Sequence, residues 1–187
     1  MSGSPGLSPL IRGQLDALMS WADLPREKSD TLRSVWELLT HESLDRAAIP
    51  PFPGLSFINA NGLPFQWVLR FSDGSPGFGF LCEVGRPGET VQQRLMQSRE
   101  RLTYACDVVG AARPLWMKDL IARVLPTDDE VWPVHWRSAM WIGVAASKAG
   151  VQLKPYFNLN YGSARQRWLR VGRVLQDLGR RRALERL

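Results

Sequence analysis

Residues 151–160 alternate without a break, and this constrains the fold more than any other feature of the chain. Val151, Leu153, Pro155, Phe157 and Leu159 fall on one side of an extended backbone, and Gln152, Lys154, Tyr156, Asn158 and Asn160 on the other, as the two-residue period of a strand requires. An earlier segment behaves alike, with Trp67, Leu69 and Phe71 opposite Gln66, Val68 and Arg70. Strand 65–71, a Gly/Ser/Pro turn at 72–77 and strand 78–84 form an expected hairpin. A second joins strand 138–145 to strand 151–160 through the turn at 147–150. Helices are expected on either side of the break at Leu24-Pro25, over about 90–109 and 115–124, and at the C-terminus. Asp23 and Ser29 are the candidate caps at the first break.

The order helix, hairpin, helix, hairpin, helix does not suit a parallel sheet. Aligning Trp67 with Trp141 superposes the two halves, which read as two α-β-β-α units. The expected class is α+β: repeated α-β-β-α units with antiparallel strands, their apolar face covered by helices. An antiparallel sheet of this kind turns Gln66, Arg70, Glu83, Lys154, Tyr156, Asn158 and Asn160 to its other face.

With 187 residues, 44% of them hydrophobic and 22% charged, the chain can bury the core of one domain. Residues 1–187 are taken as that domain, with a flexible start at 1–9, a Pro-rich linker at 49–54 and a basic tail at 180–187. No apolar run approaches the roughly 18 residues of a membrane span, and the N-terminus lacks the basic and apolar blocks of a secretory signal. A cytoplasmic location follows as the expectation. Cys82, Cys106, His41 and His135 have no zinc-site spacing, so no metal or thiol chemistry is expected and the cysteines read as small buried residues. P-loop, G-x-S-x-G, H-E-x-x-H and dinucleotide motifs are absent from the sequence. Trp132 and Trp136 read as core packing of a loop, and Asp128-Asp129-Glu130 as a solvated turn.

The net charge of +6 has one origin. Eight arginines and two acidic residues follow Ser163, whereas the chain before it carries equal numbers of basic and acidic groups. Trp168, Leu169, Val171, Val174, Leu175 and Leu178 recur at steps of three and four, so this element is an amphipathic helix with a basic solvent face, ended by Gly179. Such a helix attracts nucleic acid, an acidic partner or a membrane surface by Coulomb forces and counterion release.

The polar sheet face carries a cation, a phenol and amides, groups suited to holding an anion. Asn61-Gly62-Leu63-Pro64-Phe65-Gln66 resembles the "G-x-P-F-E" segment of aromatic prenyltransferases of the dimethylallyltryptophan synthase type, and Lys154-Pro155-Tyr156-Phe157 resembles their "K-x-Y-F" strand. In that family five α-β-β-α units close into a barrel whose polar lumen holds an allylic diphosphate and an aromatic acceptor. The resemblance implies that Lys154 and Tyr156 match diphosphate-binding positions and that Gln66, the expected catalytic residue, matches the carboxylate that accepts the indole N–H. Their neighbours on the polar face extend the expected site, Arg70 to the diphosphate and Asn158, Asn160 and Glu83 to the substrate. It implies no cofactor. It covers about residues 61–160, the N-terminal portion of a family member.

Three departures stand out. Gln66 replaces a carboxylate and can accept a hydrogen bond but not act as a carboxylate base. The position of a family arginine on the second strand falls on Gly79. Pro155 forfeits a ladder donor, which favours an edge strand. The resulting readings are a prenyltransferase whose barrel is completed by a second copy or a partner subunit, a non-catalytic binder of an aromatic ligand or peptide, and an α+β domain that docks on nucleic acid through its C-terminal helix.

Overall fold

The computed structural model describes residues 7–44, 63–72, 75–85, 88–113, 115, 117–126, 132–133, 136, 138–177 and 179. The expected linker, Asn61-Gly62, Asp128-Asp129-Glu130, His135 and the 180–187 tail lie outside them.

Helices α1 (Leu7–Trp21) and α2 (Arg26–Leu44) precede a hairpin of β1 (Phe65–Ser72) and β2 (Ser75–Cys82). Next come α3 (Val91–Val109) and α4 (Met117–Val124), a hairpin of β3 (Met140–Ser147) and β4 (Gly150–Phe157), and α5 (Ala164–Asp177). The four strands form one antiparallel sheet in the order β1-β2-β3-β4. This is the expected α+β arrangement, and β1 and β4 are its open edges. Pro155 therefore does sit on an edge strand.

Local chemistry explains the boundaries. Thr90 and Gln93 form a reciprocal capping box at the start of α3, and Gly110 closes it in the left-handed conformation at φ 68°. Neither Asp23 nor Ser29 caps α2: Asp23 adopts a left-handed φ of 48° in the preceding turn, and the Pro25 carbonyl accepts the N–H of Ser29 inside the first turn. Gly179, at φ 67°, follows the end of α5 as expected.

One face of the sheet is the core. Phe65, Phe78, Phe80, Cys82, Met140, Ile142, Val144 and Ala146 are buried on it. The indole of Trp36 on α2 stacks on Trp67 at 5.0 Å and meets Phe65 and Phe80 edge-on at 5.1 and 4.9 Å. Leu95, Leu102, Ala105 and Cys106 of α3 extend this layer, and Arg101 donates to the Leu38 carbonyl of α2 at 2.8 Å. Each fully buried Phe contributes about 1.5–3 kcal/mol through area removed from water. Trp132 and Trp136 meet edge-on at 5.9 Å against this core, as expected. Both thiols are buried and free, and burial pushes each above its ordinary pKa.

The internal repeat is shifted by one position from the tryptophan alignment. Phe65, which opens β1, corresponds to Met140, which opens β3, and Ser75 of β2 corresponds in the same way to Gly150 of β4. Trp67 is thus equivalent to Ile142, a core residue like itself. Superposing Trp67 on Trp141 fails because they point to opposite faces: Trp67 packs on the core, whereas Trp141 donates to Glu83 on the polar face. A slip of a single position inverts a strand's faces.

The C-terminal helix also departs from expectation. None of its residues is buried, and Trp168 and Leu169 are exposed. Its arginines do the holding: Arg167 donates to Asn160, and Arg170 lies 3.6 Å from the centre of the Tyr161 ring and donates to the Tyr161 carbonyl. Arg123 of α4 pairs with Asp177. Val171, Val174 and Leu175 are half-buried, with Val174 packed against the core, so the apolar stripe is covered only in part and charge and loop contacts complete the anchoring.

Candidate functional site: the polar face of the sheet

Strand register decides which side chains share the second face. Gln66, Leu81, Gly143 and Lys154 form one row across the four strands, and Val68, Gly79, Ala145 and Gln152 the next. Arg70 lies opposite Gly77, and Tyr156 opposite Trp141. Glu83 continues the alternation beyond β2, its backbone N–H donating to the Pro64 carbonyl at 2.7 Å. The face thus unites Gln66, Arg70, Glu83, Lys154 and Tyr156.

It does not unite all seven expected residues. β4 ends at Phe157, so Asn158 and Asn160 lie beyond the strand. Asn158 donates to the Ser138 carbonyl at 3.4 Å and accepts the Asn160 N–H at 3.0 Å, while Asn160 accepts from Arg167. The alternation at 158–160 is therefore a loop whose amides hold the start of α5.

The centre of the face is nearly bare. On its middle two strands Gly77, Gly79, Gly143 and Ala145 leave the floor low, with Leu81 and Trp141 rising only at the end beside Glu83, and close contacts surround two of these glycines. A Cβ at Gly79 would strike the Val144 carbonyl oxygen, and one at Gly143 would sit 2.6 Å from Cε2 of Tyr156. The phenol ring of Tyr156 accordingly lies over Gly143, which leaves it 45% exposed. The result is a shallow trough with polar groups along both edges. At the hairpin end of the face a cavity of about 360 Å³ opens between Arg70, Gly77, Ala145, Ser147 and Gln152. A larger concavity of about 530 Å³ lies between α3 and α4, beside Met96, Leu115 and Lys118, and holds none of these groups.

Among the described residues, Gln66, Arg70, Lys154 and Tyr156 make no side-chain hydrogen bond or ion pair. Lys148, in the β3–β4 turn, is by contrast paired with Asp23 at 2.6 Å. Glu83 differs from both groups. Only 2% of it is exposed. Its Oε1 accepts the indole N–H of Trp141 at 3.1 Å, while its Oε2 is buried without a partner. A buried carboxylate oxygen that lacks a donor is costly, and in native structures it commonly marks a place where a ligand or water supplies one.

This geometry can be set beside known structures. The chain aligns with the apo form of the prenyltransferase PriB at TM-score 0.76 and 21% identity, over 97% of this chain and 50% of that one. It aligns with 5-dimethylallyltryptophan synthase from Streptomyces coelicolor at TM-score 0.75 and 20% identity, over 92% and 48%. The fold is half of a prenyltransferase barrel. A third alignment, to 6-dimethylallyltryptophan synthase from Micromonospora olivasterospora in complex with DMASPP and Trp, has TM-score 0.73 and 20% identity, over 94% and 48%. The half-barrel thus spans about half the length of the solved structures it matches. No protein-family model and no curated relative matches the sequence. Among the described residues no helix is long and apolar enough to cross a membrane.

The bare floor of the half-barrel escaped sequence reasoning. Its signal is present, since Gly77 and Gly79 occupy alternate positions of β2, but glycines there read equally well as a long turn.

Proposed function

We propose that the polar face is one half of the lumen of an aromatic prenyltransferase, holding an allylic diphosphate against an aromatic acceptor. The observation that carries this reading is the pair Lys154 and Tyr156, unpartnered on one open face of a sheet that shares its fold with tryptophan prenyltransferases. Lys154 supplies a point charge and Tyr156 a neutral donor for the diphosphate, and Arg70 is a second cation on the opposite edge of the face. When the allylic C–O bond breaks, the electron pair stays with the diphosphate oxygen, and fixed cations and donors lower the barrier by stabilising that charge. The ring of Tyr156 shields the allylic cation through its π face.

The acceptor end of the face holds Gln66 and Glu83. They are diagonal neighbours, since Gln66 pairs with Leu81 and Glu83 follows two residues later, which places their Cβ atoms about 7–8 Å apart or somewhat less. Gln66 accepts a hydrogen bond from the acceptor's N–H. Glu83 Oε2, buried and unpartnered, supplies the carboxylate that position 66 lacks. Asn158 and Asn160 act at one remove, by holding the loop after β4.

Titration of the protein with dimethylallyl thiolodiphosphate tests the reading. Lys154→Ala should weaken binding at least about tenfold, or about 1.4 kcal/mol, while Lys148→Ala leaves it unchanged. Equal losses in the two variants, or no binding by the unaltered protein, would remove the site assignment.

A further inference from the structure

The two groups of cations on the polar face stand on opposite edges of the sheet. Arg70 and Gln66 are on β1 and Lys154 and Tyr156 on β4, three strand spacings apart, or about 14 Å. One copy thus presents a single one of these two cations on each edge of the face. We propose that a second copy of this chain closes the sheet into an eight-stranded barrel, and that the anion site forms across the seam between Lys154 and Tyr156 of one copy and Arg70 and Gln66 of the other. The ligand assignment rests on the diphosphate reading above; the closure does not.

Strand direction permits it. Four antiparallel strands in the order β1-β2-β3-β4 leave β1 and β4 running oppositely. A two-fold axis along the barrel therefore sets β4 of each copy antiparallel to β1 of the other. The contact is head-to-tail and closes after two copies, leaving no free edge.

The edges also complement each other in shape and chemistry. On the apolar face of β1, Leu69 and Phe71 are 52% and 77% exposed, unusual for side chains on the core side of a sheet. Beneath the edge of β4, a groove of about 380 Å³ runs between Val151, Leu153 and the α3 residues Leu102, Cys106 and Val109. Projection and groove lie on the same face. They also lie at the same end, because Ser72 of β1 and Gly150 of β4 are both at the hairpin-turn end. In unstaggered register Phe71 meets Val151 and Leu69 meets Leu153. The stagger of a barrel shifts this by whole residue pairs and preserves the faces.

The lumen has room. An eight-stranded barrel is just wide enough to be filled by side chains or to hold one small ligand. Gly77, Gly79, Gly143 and Ala145 are inward positions in each copy, while Leu81 and Trp141 fill the end beside Glu83, so the room lies toward the hairpin-turn end. Across the seam Arg70 and Lys154 stand on adjacent strands, about 5 Å apart in the strand-to-strand direction.

Sedimentation of the full chain should give a dimer. The double change Leu69→Glu with Phe71→Glu, at exposed positions, should give a folded monomer by circular dichroism, while Leu115→Glu, equally exposed on the helix side, should leave the dimer intact. The seam is read with inorganic pyrophosphate as the probe. Lys154→Ala and Arg70→Ala dimers should each lose binding. After mixing and subunit exchange, about a quarter of the original sites should return, because each mixed dimer has one seam with both residues intact. A monomeric wild-type protein, or a dimer indifferent to the β1 double change, overturns the closure. Two dimeric variants that restore nothing on mixing, when the wild type binds, overturn the shared site. A wild-type dimer that binds no pyrophosphate overturns the diphosphate reading with its seam site and leaves the closure standing.

Discussion

The two faces of the sheet are built from the same strands and obey opposite rules. On the core face the side chains of the two central strands are buried, with Phe78, Phe80 and Ile142 at 1% exposure or less. On the other face the central strands present Gly77, Gly79, Gly143 and Ala145, with Leu81 and Trp141 at one end and charged and polar groups along the edges. One face stabilises the fold by filling space; the other keeps space empty and keeps its polar groups unpaired. Stability and binding are therefore carried by residues that alternate along a single strand, so substitutions one position apart should have unlike effects.

Phe80→Ala should have the largest effect on stability. It removes a ring that touches Trp36 and Trp67 and should cost about 3–5 kcal/mol in urea unfolding, with a cavity contributing part of the loss. Gly79→Ala, at the neighbouring position, tests the empty face. Its methyl would press on the Val144 carbonyl across β2 and β3, and an overpacking cost of about 1–3 kcal/mol is expected. A neutral result would show that the glycine floor is dispensable for the sheet. Gly143→Ala should act more on binding than on folding: its methyl meets the Tyr156 ring, a side chain that can swing toward solvent, at 2.6 Å. Unfolding should shift by under about 1 kcal/mol, while thiolodiphosphate affinity falls by less than in Lys154→Ala.

The smallest expected effect is electrostatic and lies at the rim where the faces meet. The hydrogen bond and charge of Lys148 hold the Asp23 carboxyl below its ordinary pKa, tying the β3–β4 turn to the α1–α2 turn. A depressed folded-state pKa contributes stability above the ordinary aspartate range, near pH 4, and that contribution is lost as pH falls through the lower folded value. Asp23→Asn should flatten the acid side of a pH–melting-temperature profile slightly, since the pair is solvent-exposed and screened. A profile unchanged below pH 5 would show the pair to be energetically silent.

Much of the half-barrel was legible in the chain. The hairpins and the shared face of Gln66, Arg70, Lys154 and Tyr156 follow from two-residue alternation, and the span of α3 from its apolar period. Three features were not. Asn158 and Asn160 continue the alternation but leave the strand: the ladder ends at the pair Phe157–Met140, and after one further bond from the Asn158 N–H to the Ala139 carbonyl the Asn158 amide turns to the Ser138 carbonyl and the Asn160 N–H. The true repeat differs by one position from the tryptophan alignment, because two tryptophans attract superposition whichever face they occupy. The basic helix reads as amphipathic by its apolar stripe, yet Asn160, Tyr161 and Asp177 hold it by its cations and its neighbour's.

The sequence by itself determined which side chains share a face, because alternation is a property of the extended backbone and needs no partner. Only the tertiary structure decided that β1 is the edge opposite β4, that Glu83 is buried with one oxygen unmatched, and that the floor between the two cationic edges is low at its hairpin end. Those outcomes depend on pairings between residues tens of positions apart, where register and packing, rather than local propensity, set the energy.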